Sequence, residues 1–433
     1  MDRAARPRPD LARTSGGAVS DEPAVTKPVF NPFDPAFRAN PHSFYDALRE
    51  HDPVHQVPGG LTVLTRYDDV AAVLRSNDYS RDIEKSATPI DTPVANRRRE
   101  RRSDDAAKSI LNLDPPDHTR LRRLVSKSFT PSAIESLRPM VQRYVDQALE
   151  AAEQRVRDGG QFELIDDLAF PVPFLVISEM LGMPTTRVDE IREWSQLLTR
   201  TLEPTVTLED LDDTDRAMEQ FLPFLSEVIA DRRARPGSDM LSALIAAEEA
   251  GDKMSTAELV TFVVLLYVAG HETTVNLVGN SVLALLHHPD ELSWAREHGL
   301  DSNAVDELLR FDGPVQHTVR VPLKPVQFVV GNRTIDVAAG SRVLTSLGAA
   351  SHDPSVFAEP HRLNLRRSNA NKHLGFAAGI HYCLGSSLAK MEAQVTIDSL
   401  LRRFSRIELS GEPQWRDRLT IRGVDRLVLA VAR

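Results

Sequence analysis

Phe376-Ala377-Ala378-Gly379-Ile380-His381-Tyr382-Cys383-Leu384-Gly385 carries the only cysteine in a chain of 433 residues. One thiol excludes an internal disulfide, a four-cysteine iron–sulfur cluster and any multi-cysteine zinc site. Gly379 and Gly385 permit close backbone approach and unusual torsions. A helix is expected from about Ser386 to Phe404, so Cys383 sits just before a helix N-terminus. Amides there point toward the sulfur and favour the thiolate, which acts as a nucleophile or a metal ligand. A lone cysteine is more commonly a buried structural thiol. Four fixed partners around one sulfur, in the spacing Phe-x-x-Gly-x-His-x-Cys-x-Gly, weigh against that reading.

Outward from this loop the pattern is helical. Ser255 opens the longest run, with Glu258 three residues on as a capping box. The run continues to His288 and stops at Pro289, which at 1.5 Å per residue makes a helix of roughly 50 Å. From Thr119 to Ala247 the chain reads as a series of helices punctuated by Thr130-Pro131, Met183-Pro184, Glu203-Pro204 and Pro236-Gly237. A hairpin is expected at Val54–Val57 and Leu61–Arg66, turning at Pro58-Gly59-Gly60. Further strand-like runs are Thr318–Leu323, Val326–Val330, Thr334–Val337, Arg342–Leu344, Ile407–Leu409 and Leu427–Val431. The fold class is therefore mainly α with a minor β portion, in one large domain over residues 31–433. Residues 1–30, rich in Pro and Arg, read as a flexible N-terminal tail.

Lys plus Arg is 52 against 62 Asp plus Glu, a formal charge of −10. That balance argues against a general nucleic-acid partner. The arginine run Arg97–Arg99 with Arg101 and Arg102 reads as a mobile, solvated loop. The most apolar stretch, Leu259–Gly270, is short of the roughly 20 residues of a membrane span. No membrane partner is expected, and the location expected is cytoplasmic.

Three more motifs accompany the cysteine loop in order. They are Asp114-Pro115-Pro116-Asp117-His118-Thr119-Arg120-Leu121-Arg122, then Ala269-Gly270-His271-Glu272-Thr273-Thr274, then Glu307-Leu308-Leu309-Arg310 followed by Pro360-His361-Arg362. His271-Glu272 does not open a zinc-protease motif, because position 275 is Val. Together the four motifs resemble the cytochrome P-450 family over nearly the whole chain from about Asn31. Leu363, and Ser351-His352 before Asp353-Pro354, depart from the family pattern in packing positions.

The resemblance implies a P-450-type domain whose long central helix passes over the distal face of haem b. It implies Cys383 as the metal ligand, a thiolate that pushes electron density to iron and favours O–O cleavage. Phe376 would pack beside the sulfur, with Gly379 and Gly385 shaping the loop. Ala269 and Gly270 would let the distal helix come close. Oxygen activation consumes two protons. Thr273 would hydrogen-bond to bound oxygen and Glu272 would bring protons from solvent. The haem propionates would be met by His118, Arg122, Arg320 and His381. Glu307, Arg310 and Arg362 would form a structural ion-pair triad.

The activity implied is hydroxylation or epoxidation of a hydrophobic small molecule with O2. A secondary metabolite, a terpenoid or steroid, and a fatty acid all fit. The pocket would be lined by 81–111, 198–212, 267–273, Val315 and Gln316. The chain contains no Gly-x-Gly-x-x-Gly fingerprint and no cluster cysteines. Electrons are therefore expected from a separate ferredoxin or flavodoxin, reduced by NAD(P)H through a reductase. It would dock near Arg122, Arg123, Lys127, Lys372 and Lys390. Rival readings are a peroxide-driven or phenol-coupling haem enzyme, a non-catalytic haem or ligand-binding protein, and a haem-free protein with a structural Cys383.

Overall fold

Ser255 and Glu258 cap each other. The Ser255 hydroxyl accepts from the Glu258 amide at 3.2 Å, and a Glu258 carboxylate oxygen accepts from the Ser255 amide at 2.8 Å. The long helix that follows is α-helical over Thr256–Leu266 and again over Glu272–His287, with a π turn at Tyr267–His271 between them. Its extent matches the sequence expectation. The π turn does not, and it falls where functional helices commonly widen. Side chains of this stretch bond back into the ladder: Thr273 Oγ1 to the Ala269 carbonyl at 2.7 Å and Thr274 Oγ1 to that of Gly270 at 3.1 Å. Over Thr256–His287 the helix is long and apolar enough to cross a membrane, with a mean hydropathy of 1.3 in its most apolar window. In this fold 67% of that window is buried, so its apolar surface serves the protein core.

The computed structural model describes residues 28–433 except 89, 102–106, 204 and 250–251. Most of the expected tail lies outside the described residues. Phe30, at its end, packs edge-on against Phe37 and His317, with ring centroids 5.7 and 5.8 Å apart.

One large helical core surrounds the long helix. It is built from the helices Asp117–Ser126, Arg138–Arg157, Pro171–Met180, Val188–Arg200, Leu208–Ala234, Ser302–Asp312 and Ser386–Arg403. A second, smaller core lies under the main sheet and includes Val54, Leu64, Val343, Phe357 and Leu374. The strands of that sheet are β1 (Val54–Val57), β2 (Leu61–Leu64), β3 (Tyr79–Ser80), β4 (His317–Pro322) and β5 (Arg342–Ser346), in the order β1-β2-β5-β4-β3. The expected hairpin is present, with Val54 opposite Leu64. Gly59 and Gly60 take φ of +89° and +77° in its turn, a conformation glycine adopts without strain. Strand β5 pairs parallel to β2 and antiparallel to β4, closing a contact between residues nearly 300 apart in sequence.

Candidate active site

The cysteine loop is closed by its own backbone: the Cys383 amide donates to the Phe376 carbonyl at 3.0 Å, and that of Tyr382 to Gly379 at 3.1 Å. Gly379 sits at φ +73°, and a Cβ there would lie 2.4 Å from the Leu74 carbonyl oxygen. Its close approach is thus to the protein's own Leu74–Arg75 backbone. Gly385 differs: a Cβ there would meet nothing within 4 Å, so the backbone beside the sulfur borders open space. Burial pushes the Cys383 thiol pKa up, while a hydrogen bond from the Gly385 amide and the charge of Arg122 pull it down.

Beside the loop, Arg81 and Arg320 converge with the His118 and His381 imidazoles; among the described residues no carboxylate pairs with these side chains, and Asp114 acts on them from a distance. His118 is buried on the helix Asp117–Ser126, and its ring lies 4.2 Å from that of His381. His118 Nδ1 and His381 Nε2 are both buried without a hydrogen-bond partner among the described residues. Burial, with His118, Arg320 and Arg81 beside it, pushes His381 down to about 3. Arg320, on β4, is buried and pushed down to about 9 by desolvation and by Arg81. Among the described residues its guanidinium finds only neutral partners, Thr318 Oγ1 at 2.8 Å and the Val319 carbonyl at 3.0 Å. Desolvation lowers Arg81 as well.

Arg81 was not singled out from the sequence. It is positioned by Asp114 of the Asp-Pro-Pro motif, whose Oδ1 accepts from the Arg81 amide at 3.0 Å and whose Oδ2 pairs with Lys85 at 2.6 Å. Buried cations that lack anions are costly. A ligand carrying two carboxylates fits this cluster and would relieve that cost. Arg122 stands slightly apart, its Nη2 donating to the Tyr382 carbonyl at 2.8 Å, and so ties the His118 helix to the cysteine loop.

On the long helix, Ala269, Gly270 and Thr273 are only half-buried, whereas Val268, His271, Glu272 and Thr274 are buried. This strip is a face that protein atoms leave uncovered. The bulk argument fails for Gly270 in one respect: a Cβ there would lie 2.3 Å from Ile177 Cδ1, so the missing side chain lets the helix pack on Pro171–Met180. The Thr273 hydroxyl already donates to Ala269, which leaves its lone pairs to accept. Glu272 is not in contact with solvent as expected. It is buried and paired with Arg416 and, at 2.8 Å, with Arg418. His271 beside it is pushed down to about 4 by burial and is neutral at pH 7.

The structural triad needs a correction. Glu307 and Arg310 pair in full burial, at 2.7 Å between Nε and Oε2. The third side chain is Arg367, whose Nε lies 3.1 and 3.0 Å from the two Glu307 oxygens. The Arg362 side chain points outward, 65% exposed, toward Glu359 at 3.5 Å. Arg362 contributes only its carbonyl, which accepts from Arg310 at 3.2 Å and from Arg367 at 3.0 Å. Both arginines lie downstream of Pro360, and spacing alone did not separate them.

Other expectations also changed. The arginine run is helical over Pro93–Glu100, and Arg97 and Arg101 pair with Asp212, at 3.8 and 2.6 Å. Arg102 lies outside the described residues. Gln316 faces inward, its Nε2 donating to the Gly313 carbonyl at 2.8 Å. Lys390 is tied to Asp306 at 2.7 Å, whereas Arg123, Lys127 and Lys372 are exposed.

The comparisons agree with this geometry. Residues 35–297 and 300–420 match the family model described as Cytochrome P450. Cytochrome P450 107B1 of Saccharopolyspora erythraea is 38% identical over 405 residues, covering 91% of this chain and 96% of that protein. The vitamin D(3) 25-hydroxylase of Pseudonocardia autotrophica is 36% identical, covering 91% and 94%. The solved structure of the bacillaene polyketide synthase cytochrome P450 PksS of Bacillus subtilis superposes with a TM-score of 0.82 at 33% identity, covering 94% of this chain and all of that one. A single-domain helical fold built around one cysteine loop defines the class of haem-thiolate oxidoreductases. The chain belongs to the cytochrome P450 family, and its relatives are bacterial monooxygenases.

Proposed function

We propose that this chain is a monooxygenase that holds haem b through the Cys383 thiolate and inserts one atom of O2 into a hydrophobic small molecule. One observation carries the reading. Arg81, Arg320, His118 and His381 converge beside the loop that presents the chain's one cysteine sulfur, and among the described residues no carboxylate pairs with their side chains, Asp114 acting only from a distance. The two propionates of haem would satisfy the orphaned His118 and His381 nitrogens and the desolvated guanidiniums. Haem, when bound through a thiolate, supplies the O2 chemistry.

The chain's own residues do the rest. Cys383 gives its sulfur, with the Gly385 amide and Arg122 stabilising the anion. Gly385 keeps the backbone clear on that side. Thr273 offers an acceptor on the uncovered strip of the long helix. Glu272, one residue away, is the carboxylate that would relay protons, and Ala269 and Gly270 keep the strip low. A hydrophobic small molecule, as vitamin D(3) is for one relative, is the substrate class this reading implies, and it would face the uncovered strip of the long helix.

Electrons come from a separate ferredoxin or flavodoxin with its NAD(P)H-dependent reductase, in the cytoplasm. Arg123, Lys127 and Lys372, with the exposed Ile380 and Tyr382 of the cysteine loop, form the docking face. Changing both Arg123 and Lys127 to Glu should slow electron transfer from an acidic ferredoxin at least tenfold at low salt. The effect should fade as salt screens the pair. An unchanged rate at low salt removes this face from consideration.

The reduced carbon monoxide difference spectrum tests the central assignment. The wild type should give the strongly red-shifted Soret band of thiolate-ligated haem, and Cys383→Ser should lack it. A band typical of histidine ligation, or a protein that stays colourless with haem supplied, would return Cys383 to a structural role.

A further inference from the structure

The C-terminal turn at 416–421 is gripped from two sides by buried carboxylates from different parts of the molecule. Glu203 follows the helix Val188–Arg200 and is buried. Its Oε2 accepts from the amides of Leu419 at 2.8 Å and Thr420 at 2.9 Å, and its Oε1 from that of Ile421 at 3.0 Å. Three amides on one carboxylate are a strong, charge-assisted anchor. Glu272 of the long helix holds the same turn through Arg416 and Arg418.

Other charges surround Glu272 and the turn: His271 Nε2 lies 3.9 Å from a Glu272 carboxylate oxygen, and Asp417 is part of the turn itself. Arg416 Nε lies 3.4 Å from Asp425, and Asp166 and Glu163 act on it from a distance. Burial lowers Arg418, opposed by Glu203, Asp425 and Asp210 and reinforced by Arg200. Beyond the turn, Ile421 bridges to Val315, and the Thr420 carbonyl accepts from the Gln316 amide at 3.0 Å.

The geometry points to a coupling element. We propose that the turn links the seating of Glu203, in the connection after Val188–Arg200, to the state of Glu272. With Glu203 seated, Arg416 and Arg418 hold Glu272 as a clamped carboxylate. With Glu203 withdrawn, the clamp loosens and Glu272 takes up and passes protons more readily. Arg416 and Arg418 are positioning residues that act through Glu272. The inference rests on the role proposed for Glu272 in proton delivery. Coupling of this kind is reciprocal, so loosening the clamp must also loosen the seat.

Glu203→Gln in the haem-loaded protein is the direct test. Two signals are read: hydrogen exchange at the amides of Leu419, Thr420 and Ile421, and the pH at which the infrared carboxylate band assigned by its loss in Glu272→Gln disappears. Exchange should rise about tenfold, and the Glu272 midpoint should move up by about one pH unit. If Glu203→Gln does not fold, the reverse arm decides. Arg416→Gln with Arg418→Gln should speed exchange at Thr201–Glu203, relative to the buried helix Ser302–Asp312, while Arg418→Lys should stay close to wild type.

Faster exchange at 419–421 with an unmoved Glu272 midpoint overturns the coupling. So does unchanged exchange in Glu203→Gln, or unchanged exchange at Thr201–Glu203 in the arginine variant. A wild type without the thiolate-type carbon monoxide band defeats the proposed function instead, and leaves these two readouts standing.

Discussion

Arg367→Ala should lose about 3–5 kcal/mol of stability and much of its haem, whereas Arg362→Ala should stay within about 0.5 kcal/mol of wild type. The contrast follows from where each guanidinium goes. Arg310 and Arg367 share the fully buried Glu307 carboxylate, which also accepts from the Asn364 amide at 2.9 Å. Arg310 donates further to the carbonyls of Ser351 and Pro360, at 3.1 and 2.7 Å. Arg367 donates to those of Ala358 and Glu359, at 2.6 and 3.2 Å.

Truncating Arg367 therefore leaves the Ala358 carbonyl without its donor, weakens the hold on those of Glu359 and Arg362, and removes one of the two charges facing the fully buried Glu307 carboxylate. The segment it ties together, Ser351 to Leu374, leads directly into the cysteine loop, so its loosening should also release haem. Arg362 loses only an exposed pair with Glu359, which at such exposure contributes little. Urea unfolding and haem content of the two variants decide the matter. Equal losses in both, or an Arg367→Ala protein within about 1 kcal/mol of wild type, would contradict this network.

The same pair of residues shows how far the sequence carried. Glu307 and Arg310 were legible because three residues on a helix bring two side chains together. The third partner arrives across more than fifty residues that include strands β4 and β5, and only tertiary packing distinguishes Arg362 from Arg367. The hairpin, the long helix and strands β4 and β5 were readable from local pattern and caps, to within a residue or two, whereas the two-residue edge strand β3 was not. The cysteine loop was readable as a motif.

What stayed hidden was long-range and electrostatic. Arg81 enters the cation cluster because Asp114, 33 residues on, fixes its backbone. Arg416 and Arg418 reach Glu272 from nearly 150 residues away. Their alternation on one strand-like stretch, with Asp417 between, was the one available signal, since it places both on the same face. The arginine run looked solvated because its acidic partners lie on a helix beginning more than a hundred residues later.

Glu392→Gln should stabilise the protein at neutral and alkaline pH, and should do so less and less as pH falls. Glu392 lies on the helix Ser386–Arg403 that the cysteine loop feeds. It is fully buried, with Oε1 lacking a partner among the described residues and the Thr274 hydroxyl, whose proton goes to the Gly270 carbonyl, beside it. Burial pushes its pKa from about 4.5 up to about 8. A carboxyl raised in the folded state holds its proton while the unfolded chain releases it. Its full contribution is present below pH 4.5 and is lost as pH rises toward 8.

Integrated to pH 7, the loss is on the order of 3 kcal/mol. Glutamine keeps the shape and cannot ionise, so the variant should recover most of it. Buried histidines set the opposite flank. His42, His271 and His317 are each pushed down to about 4 by burial. The unfolded chain binds their protons first, so stability falls as pH drops from 6.5 toward 4. Between pH 4.5 and 6.5 the three histidines outweigh the one glutamate, so wild-type stability should peak near pH 6.5 and decline on both sides. Glu392→Gln should remove the alkaline decline and leave the acid one untouched. Melting curves of both proteins from pH 4.5 to 8.5 read this directly, and parallel curves across the range would mean that Glu392 is ionised in the folded protein at neutral pH.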